Sequence, residues 1–289
     1  MERYEYIRAA SVNEALALLN EPGLKSRPLA GGTDILLQLR HDPQYCDRLV
    51  DISRIPELHR IELQDGWVHI GAAASFCEVL NNPIIKTTAP VLAQACLTVG
   101  AVQIRNMGTL GGNVINAAAC ADSLPALICL DAVAHIRIPE GEQEIPVNQL
   151  VTGPNRNILT TGGLLVSFRY PVPAPGTRGA FLKLGRRNAM AISRLTVAVM
   201  GRVDAQNLIS EVRLVTGSAT PHIERLMAVE QTLIGKLPSR ELYQTTAKMV
   251  VDEMIRLAGY RWSSEYKVPA LTAMTERALI QVFESVKDK

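Results

Sequence analysis

The sequence predicts an α+β fold, and three observations carry that reading. Strand and helix patterns alternate over roughly the first fifty to sixty residues. A proline-rich break falls near residue 175, where Pro171, Pro173 and Pro175 interrupt an otherwise apolar stretch. Beyond it, a period-two hairpin pattern gives way to apolar residues at helical spacing.

The elements follow in order. "SVNEALALLNEPG" offers Ser11 as a cap with Glu14 three residues on and ends in Pro-Gly, which predicts a helix over 11–20. "SRPLAGGTDILLQLR" reads as strand, glycine turn and short helix, "RLVDIS" at 48–53 as a buried strand, and "WVHIGAAAS" at 67–75 as an alternating strand that reaches a glycine. Next comes a helical pattern, "PVLAQACLTVG", ending at Gly100, and then a second glycine turn, "MGTLGGN", at 107–113. In "SLPALICLDAVAHIRI" a helix yields to a strand around Asp131, where β-branched residues take over. "GGLLVSFRYPVPAPGTRGAFLKLG" is strand, proline break, strand, and marks a boundary near 175. "LTVAVMGRVDAQNLISEVRLVTGSAT" reads as a hairpin, and the chain is helical from Glu230 onward, so the last part is a small sheet covered by helices.

Composition narrows the function classes. Of 289 residues, 47% are hydrophobic and 20% charged, enough for a substantial core, and the net charge of +2 argues against a nucleic-acid groove or a polybasic membrane patch. Small molecules or proteins are the expected partners. The charged start "MERYEYIRAA" is unlike a signal peptide and no stretch has the apolar length of a membrane span, so a cytoplasmic protein is expected. Cys46, Cys77, Cys96, Cys120 and Cys129 contain no C-x-x-C pair, and His41, His59, His69, His135 and His222 show no metal-ligand spacing, so no metal site is predicted.

Chemistry concentrates in the two glycine pieces. Glycine admits positive φ and lets a ligand approach the backbone, and a turn leading into a helix aims amide groups at an anion, often a phosphate. "AGGTD" before "ILLQL" has that form, and "MGTLGGN" adds the hydrogen-bonding side chains of Thr109 and Asn113. Either piece alone is also an ordinary tight turn. Neither contains G-x-G-x-x-G, and no G-x-x-x-x-G-K-[ST] occurs, so the Rossmann and P-loop readings lose their main support.

Taken together, "LAGGTDILLQLR", "IGAAAS", "QIRNMGTLGGNVINAAACADSLPAL" and "FLKLGRRNAMAISRLTVAV", in this order and at these separations, resemble the FAD-binding medium subunits of molybdenum hydroxylases such as xanthine and carbon monoxide dehydrogenases. The resemblance spans essentially the whole chain. It implies a PCMH-type FAD-binding domain over 1–175, with subdomains at about 1–56 and 57–175, followed over 176–289 by an antiparallel sheet with a helical layer. It also implies that FAD is held without a covalent bond, its pyrophosphate gripped by both glycine pieces: Ala30, Gly31, Gly32, Thr33 and Asp34 from one side, and Thr109, Leu110, Gly111, Gly112 and Asn113 from the other. Asp122 falls where the family has an aspartate contacting FAD, suited to the ribose hydroxyls; it also reads as an N-cap for "SLPALICL". Leu165 matches a cofactor-touching position and otherwise reads as core. Lys183 falls where the family places a lysine near the flavin ring, and otherwise reads as a solvated strand lysine.

Arg186 and Arg187 are candidates for the approach to the flavin or for surface ion pairs, and Val99 stands where some relatives have an aromatic residue over the ring. Departures from the family are Ala119 in place of a frequent proline and Ser75 in place of a frequent threonine. No catalytic residue is predicted on this chain. The resemblance implies that a molybdopterin-binding large subunit and a small subunit with [2Fe–2S] clusters are partners, with electrons passing to NAD or another acceptor. A free-standing FAD oxidoreductase, an assembly protein, or a phosphate-binding module resting on the glycine turns alone are the alternatives.

Overall fold

The computed structural model describes residues 4–159 and 162–284. Its N-terminal part alternates β1 (Glu5–Arg8), α1 (Val12–Leu19), β2 (Ser26–Leu29), α2 (Ile35–His41) and β3 (Arg48–Asp51). The three strands form a parallel sheet in the order β1-β3-β2. Parallel strands need a crossover, and α1 supplies it between β1 and β2. The Ser11 hydroxyl accepts from the Glu14 amide, and the Glu14 carboxylate accepts from the Ala10 amide, so the predicted cap forms. All four residues of β3 are buried, as expected for a central strand.

The middle part holds β4 (Ile61–Gln64), β5 (Trp67–Gly71), α3 (Phe76–Asn81), α4 (Pro83–Thr88), α5 (Pro90–Leu97), α6 (Val102–Met107), α7 (Leu110–Asn116), α8 (Ser123–Cys129), β6 (Val133–Ile138), β7 (Gly141–Pro146), α9 (Val147–Leu150), β8 (Val151–Gly153), β9 (Arg156–Asn157) and β10 (Leu164–Pro171). A five-stranded antiparallel sheet runs β4-β5-β10-β6-β7. Its first hairpin turns on Asp65 and Gly66, both at positive φ, the backbone a tight two-residue hairpin requires. On one sheet face Val68, Ile70, Ala134, Ile136, Phe168 and Tyr170 pack with the helices into the largest core cluster. Leu164 and Val166, from β10, instead pack with α1 and β3 and so tie the first sheet to the second.

After the prolines, β11 (Arg178–Leu184), β12 (Leu195–Val203) and β13 (Ile209–Gly217) form an antiparallel sheet, followed by α10 (Met227–Leu233), α11 (Arg240–Ala258) and α12 (Ser264–Phe283). Strand periodicity sorts the side chains of β12. Leu195, Val197 and Val199 face the core made with α10, α11 and α12, whereas Ala198 and Met200 pack with Phe181 and Val215 into the core of the middle part. Burial on both faces fixes this sheet against α5 and α8, which places the end of β11 beside the start of α8. Among the described residues no helix is long and apolar enough to cross a membrane.

Candidate functional site

Five residues must carry the chain from Leu29 at the end of β2 to Ile35 at the start of α2. Gly32 does so at φ +73, a conformation that side chains with a Cβ adopt at a cost of about 1–2 kcal/mol. Gly31 is bare for a different reason. A Cβ there would lie 1.9 Å from the Met107 carbonyl oxygen and 3.0 Å from the Gly108 Cα. The first glycine piece therefore rests directly on the second, an approach that only the missing side chain permits.

The second piece is not the turn that its glycines suggest. Thr109 is the N-cap of α7, its hydroxyl accepting from the Gly112 amide at 3.0 Å, and Gly111 and Gly112 lie in the helix's first turn. Gly111 packs on the end of β5: its amide donates to the Ala72 carbonyl at 2.8 Å, and a Cβ would sit 2.6 Å from that same oxygen. Capping prevails here, because the Thr109 hydroxyl satisfies one of the amides left unpaired at the start of α7.

Between the two pieces lies a cleft of about 530 Å³, within the usual size of small-molecule sites, ~300–1,000 Å³. Ala30, Gly31, Gly32, Thr33, Asp34, Thr109, Gly111, Gly112, Asn113 and Leu165 all line it. The two pieces differ in what they offer. The amides of Gly31, Gly32, Thr33 and Asp34 have no acceptor among the described residues. Those of Leu110, Gly111, Gly112 and Asn113 are already used, by the Ala74 carbonyl, the Ala72 carbonyl, the Thr109 hydroxyl and the Thr109 carbonyl. Asp34 clasps the two sides: its carboxylate accepts from Asn116 Nδ2 and from the Thr33 hydroxyl, each at 2.9 Å.

Three predicted residues lie off the lining. Leu110 is fully buried in the main core. Asp122 and Lys183 are brought together, with the Lys183 ammonium donating to Asp122 Oδ2 at 2.6 Å and to the Thr98 carbonyl at 2.9 Å. Their side chains are 5% and 11% exposed, so Lys183 is not a solvated strand lysine. Asp122 occupies the N-cap position of α8 but makes no capping bond; its carboxylate also accepts from the hydroxyls of Ser193 and Thr98. Burial pushes this carboxyl above the ordinary carboxylate range, against the pull of Lys183 and the two hydroxyls. Val99, one residue beyond Thr98, does line the cleft. Arg186 is exposed, and Arg187 donates to the Met190 carbonyl.

Other residues of the cleft carried no sequence signal of their own. Asn116 ends α7 and acts only because folding sets it opposite Asp34, which is 82 positions away. Phe76 and Ile104 add apolar side chains to the lining, and Arg27 and Tyr45 also line the cleft. Amides of a glycine loop without an acceptor among the described residues suit a phosphate-bearing group, and apolar lining residues such as Phe76 and Ile104 suit a flavin ring, so the residues present fit FAD.

Comparison with known proteins agrees with that fit. A family model of the FAD-binding domain in molybdopterin dehydrogenase matches residues 2–173, and a model of the CO dehydrogenase flavoprotein C-terminal domain matches residues 180–282. The chain is 32% identical over 286 residues to a xanthine dehydrogenase FAD-binding subunit of Escherichia coli O157:H7, covering 98% of this chain and 97% of that one. It is 30% identical over 282 residues to the glyceraldehyde dehydrogenase medium chain of Sulfolobus acidocaldarius, covering 96% and 98%. The solved structure of carbon monoxide dehydrogenase from Hydrogenophaga pseudoflava superposes with a TM-score of 0.89 at 29% identity, covering 97% of each chain. Both matched models and the full-length likeness lead to one assignment: the chain belongs to the family of FAD-binding medium subunits of molybdenum hydroxylases.

Proposed function

We propose that this chain is the FAD-carrying electron-transfer subunit of a xanthine dehydrogenase-like complex. It receives electrons from the [2Fe–2S] clusters of a small partner subunit, a large partner holds the molybdopterin, and NAD or another acceptor takes the electrons. The observation that carries the reading is the row of four amides, Gly31 to Asp34, without an acceptor among the described residues, on a cleft closed by the second glycine piece. The similarity to a xanthine dehydrogenase FAD-binding subunit supports the choice of complex.

FAD bound in the cleft supplies the exchange between one-electron donors and a two-electron acceptor. The chain's own residues bind and orient it. Ala30 to Asp34 and Thr109 hold the anionic centre with backbone amides and hydroxyls; Gly111, Gly112 and Asn113 keep the opposite wall low enough for close approach. Leu165 and Val99 add apolar surface to the lining and exclude water there. Leu110, Asp122 and Lys183 complete the proposed FAD-binding set, the Asp122–Lys183 pair bonded to Thr98, next to the cleft-lining Val99. We assign residues 1–175 to cofactor binding, with subdomains at about 1–56 and 57–175, residues 176–289 to the C-terminal sheet and helices, and the complex to the cytoplasm.

Affinity purification of the tagged chain from its own cells tests the reading. The expected result is a yellow complex with a molybdenum subunit and an iron–sulfur subunit that reduces NAD with a purine substrate. Neither glycine piece contains His or Cys to anchor a covalent flavin, so acid denaturation should release all the flavin into the supernatant. A yellow chain that purifies alone from those cells would overturn the assignment in favour of a free-standing flavoprotein.

A further inference from the structure

Helix α6 turns its arginine inward and its apolar residues outward. Val102, Ile104 and Met107 are 58%, 40% and 58% exposed, and Arg105 alone in the helix is half-buried. Its guanidinium reaches back past the start of α6 and donates to the carbonyls of Val99 at 3.0 Å and Gly100 at 3.2 Å. The carbonyl before them, on Thr98, accepts from the Lys183 ammonium at 2.9 Å. Three successive carbonyls of one turn are thus bonded to two cations, one from α6 and one from β11.

The turn belongs to the cleft. Val99 lines it, as do Ile104 and Gly108, which flank Arg105 in sequence. Gly100 is at φ +47, and a Cβ there would lie 2.8 Å from Ile104, so turn and helix pack without slack. A carbonyl deprived of its partner in such a place must find another donor, which moves the residue that carries it. The two cations also differ in charge balance. Lys183 is paired with Asp122 at 2.6 Å, whereas Arg105 bonds carbonyls and pairs with no carboxylate among the described residues. Its positive charge is held, without a counter-charge, within hydrogen-bonding distance of a residue of the lining. Two-electron reduction leaves a flavin more negative, and a fixed cation near it favours that state.

We propose that Arg105, the arginine of "QIRN", is a positioning residue for the flavin: it holds the 98–100 turn in the cleft lining and sets there an unneutralised charge that favours the reduced cofactor. This rests on FAD being the occupant of the cleft. The test uses the full-length chain. FAD affinity is read by fluorescence titration of the flavin-free protein, the midpoint potential by spectroelectrochemistry and Tm by thermal melts. Arg105→Gln should weaken oxidised FAD by about tenfold and reduced FAD by about tenfold more, the second factor appearing as a midpoint lowered by about 30 mV for a two-electron couple. Arg105→Lys keeps the charge but not the planar fork that spans two carbonyls, so it should keep the parent midpoint while losing several-fold in FAD affinity. An arginine that serves folding alone would lower Tm and FAD affinity and leave the midpoint of the retained flavin at the parent value. That result, or an unchanged FAD affinity in Arg105→Gln, would overturn the proposal while leaving FAD in the cleft. Should Arg105→Gln fail to fold, Arg105→Lys decides, and parent affinity in it would overturn the proposal. A parent chain that binds no FAD would overturn the reading of the cleft itself, and this proposal with it.

Discussion

The two glycine pieces look alike on paper and behave differently in the fold. At 30–34 the chain is an open loop, with Gly32 at φ +73 and four amides that find no acceptor among the described residues. At 109–113 it is a capped helix, its amides spent on Ala72, Ala74 and Thr109, and Gly111 is bare because the end of β5 occupies the space of a side chain. In the first piece Gly32 is bare for its own backbone and Gly31 for the approach of the second piece, whereas in the second Gly111 is bare for packing on the end of β5. A glycine motif is thus a statement about space, and the neighbours decide whether a ligand or the protein fills it.

The largest test of this difference is at their junction. Gly31→Val would force a Cβ onto the Met107 carbonyl, 1.9 Å away in the present geometry, and backbone cannot yield as a side-chain end does. Loss of flavin together with a fall in Tm is expected, read by absorbance and thermal melts. Next comes the buried pair of Asp122 and Lys183. Lys183→Met leaves the Asp122 carboxylate buried with only hydroxyl partners, which should cost roughly 3–5 kcal/mol. The sign with pH follows from Asp122, whose folded pKa is already raised by burial. The charged carboxylate opposes folding above its unfolded value, that cost is absent below it, and the variant extends the costly window upward. The gap in Tm between variant and parent should therefore narrow as pH is lowered from 8 toward 5. A constant gap would mean that Asp122 has the same protonation state in variant and parent across that range.

Two smaller effects sharpen the contrast between the pieces. Gly32→Ala should cost about 1–2 kcal/mol through its positive φ and weaken flavin binding in step, whereas Gly111→Ala should cost stability by roughly 1–3 kcal/mol through overpacking on Ala72. Urea titrations and flavin titrations on both variants separate the two causes. The smallest difference is between the threonines. Thr109→Val removes the cap of α7 and should cost ~1 kcal/mol, while Thr33→Val loses only a bond to the exposed Asp34 and should move Tm little. Equal shifts in Tm would show that Thr109 caps nothing of consequence.

Most of the secondary structure was legible because period and punctuation are local. The Ser11 cap, the buried run at 48–51, the change from helix to strand around Asp131 and the hairpin of β12 and β13 follow from residues within a few positions of one another. The Asp65-Gly66 hairpin was equally available, yet β4 is mostly exposed and lacks a clear alternation, which hides it. Strand β7 is hidden in the same way by its run of exposed polar residues.

What the sequence determined by itself is the set of elements, the two glycine pieces and, through their order and separation, the family. These depend on residue type and local spacing, which survive without knowledge of the fold. Tertiary structure alone decided which amides find no acceptor among the described residues, that Asn116 would reach Asp34, and that Lys183 would turn to Asp122. Each of those is a matter of partners distant in the chain, and a hydrogen-bonding group is spoken for or available only once every neighbour competing for it has been placed.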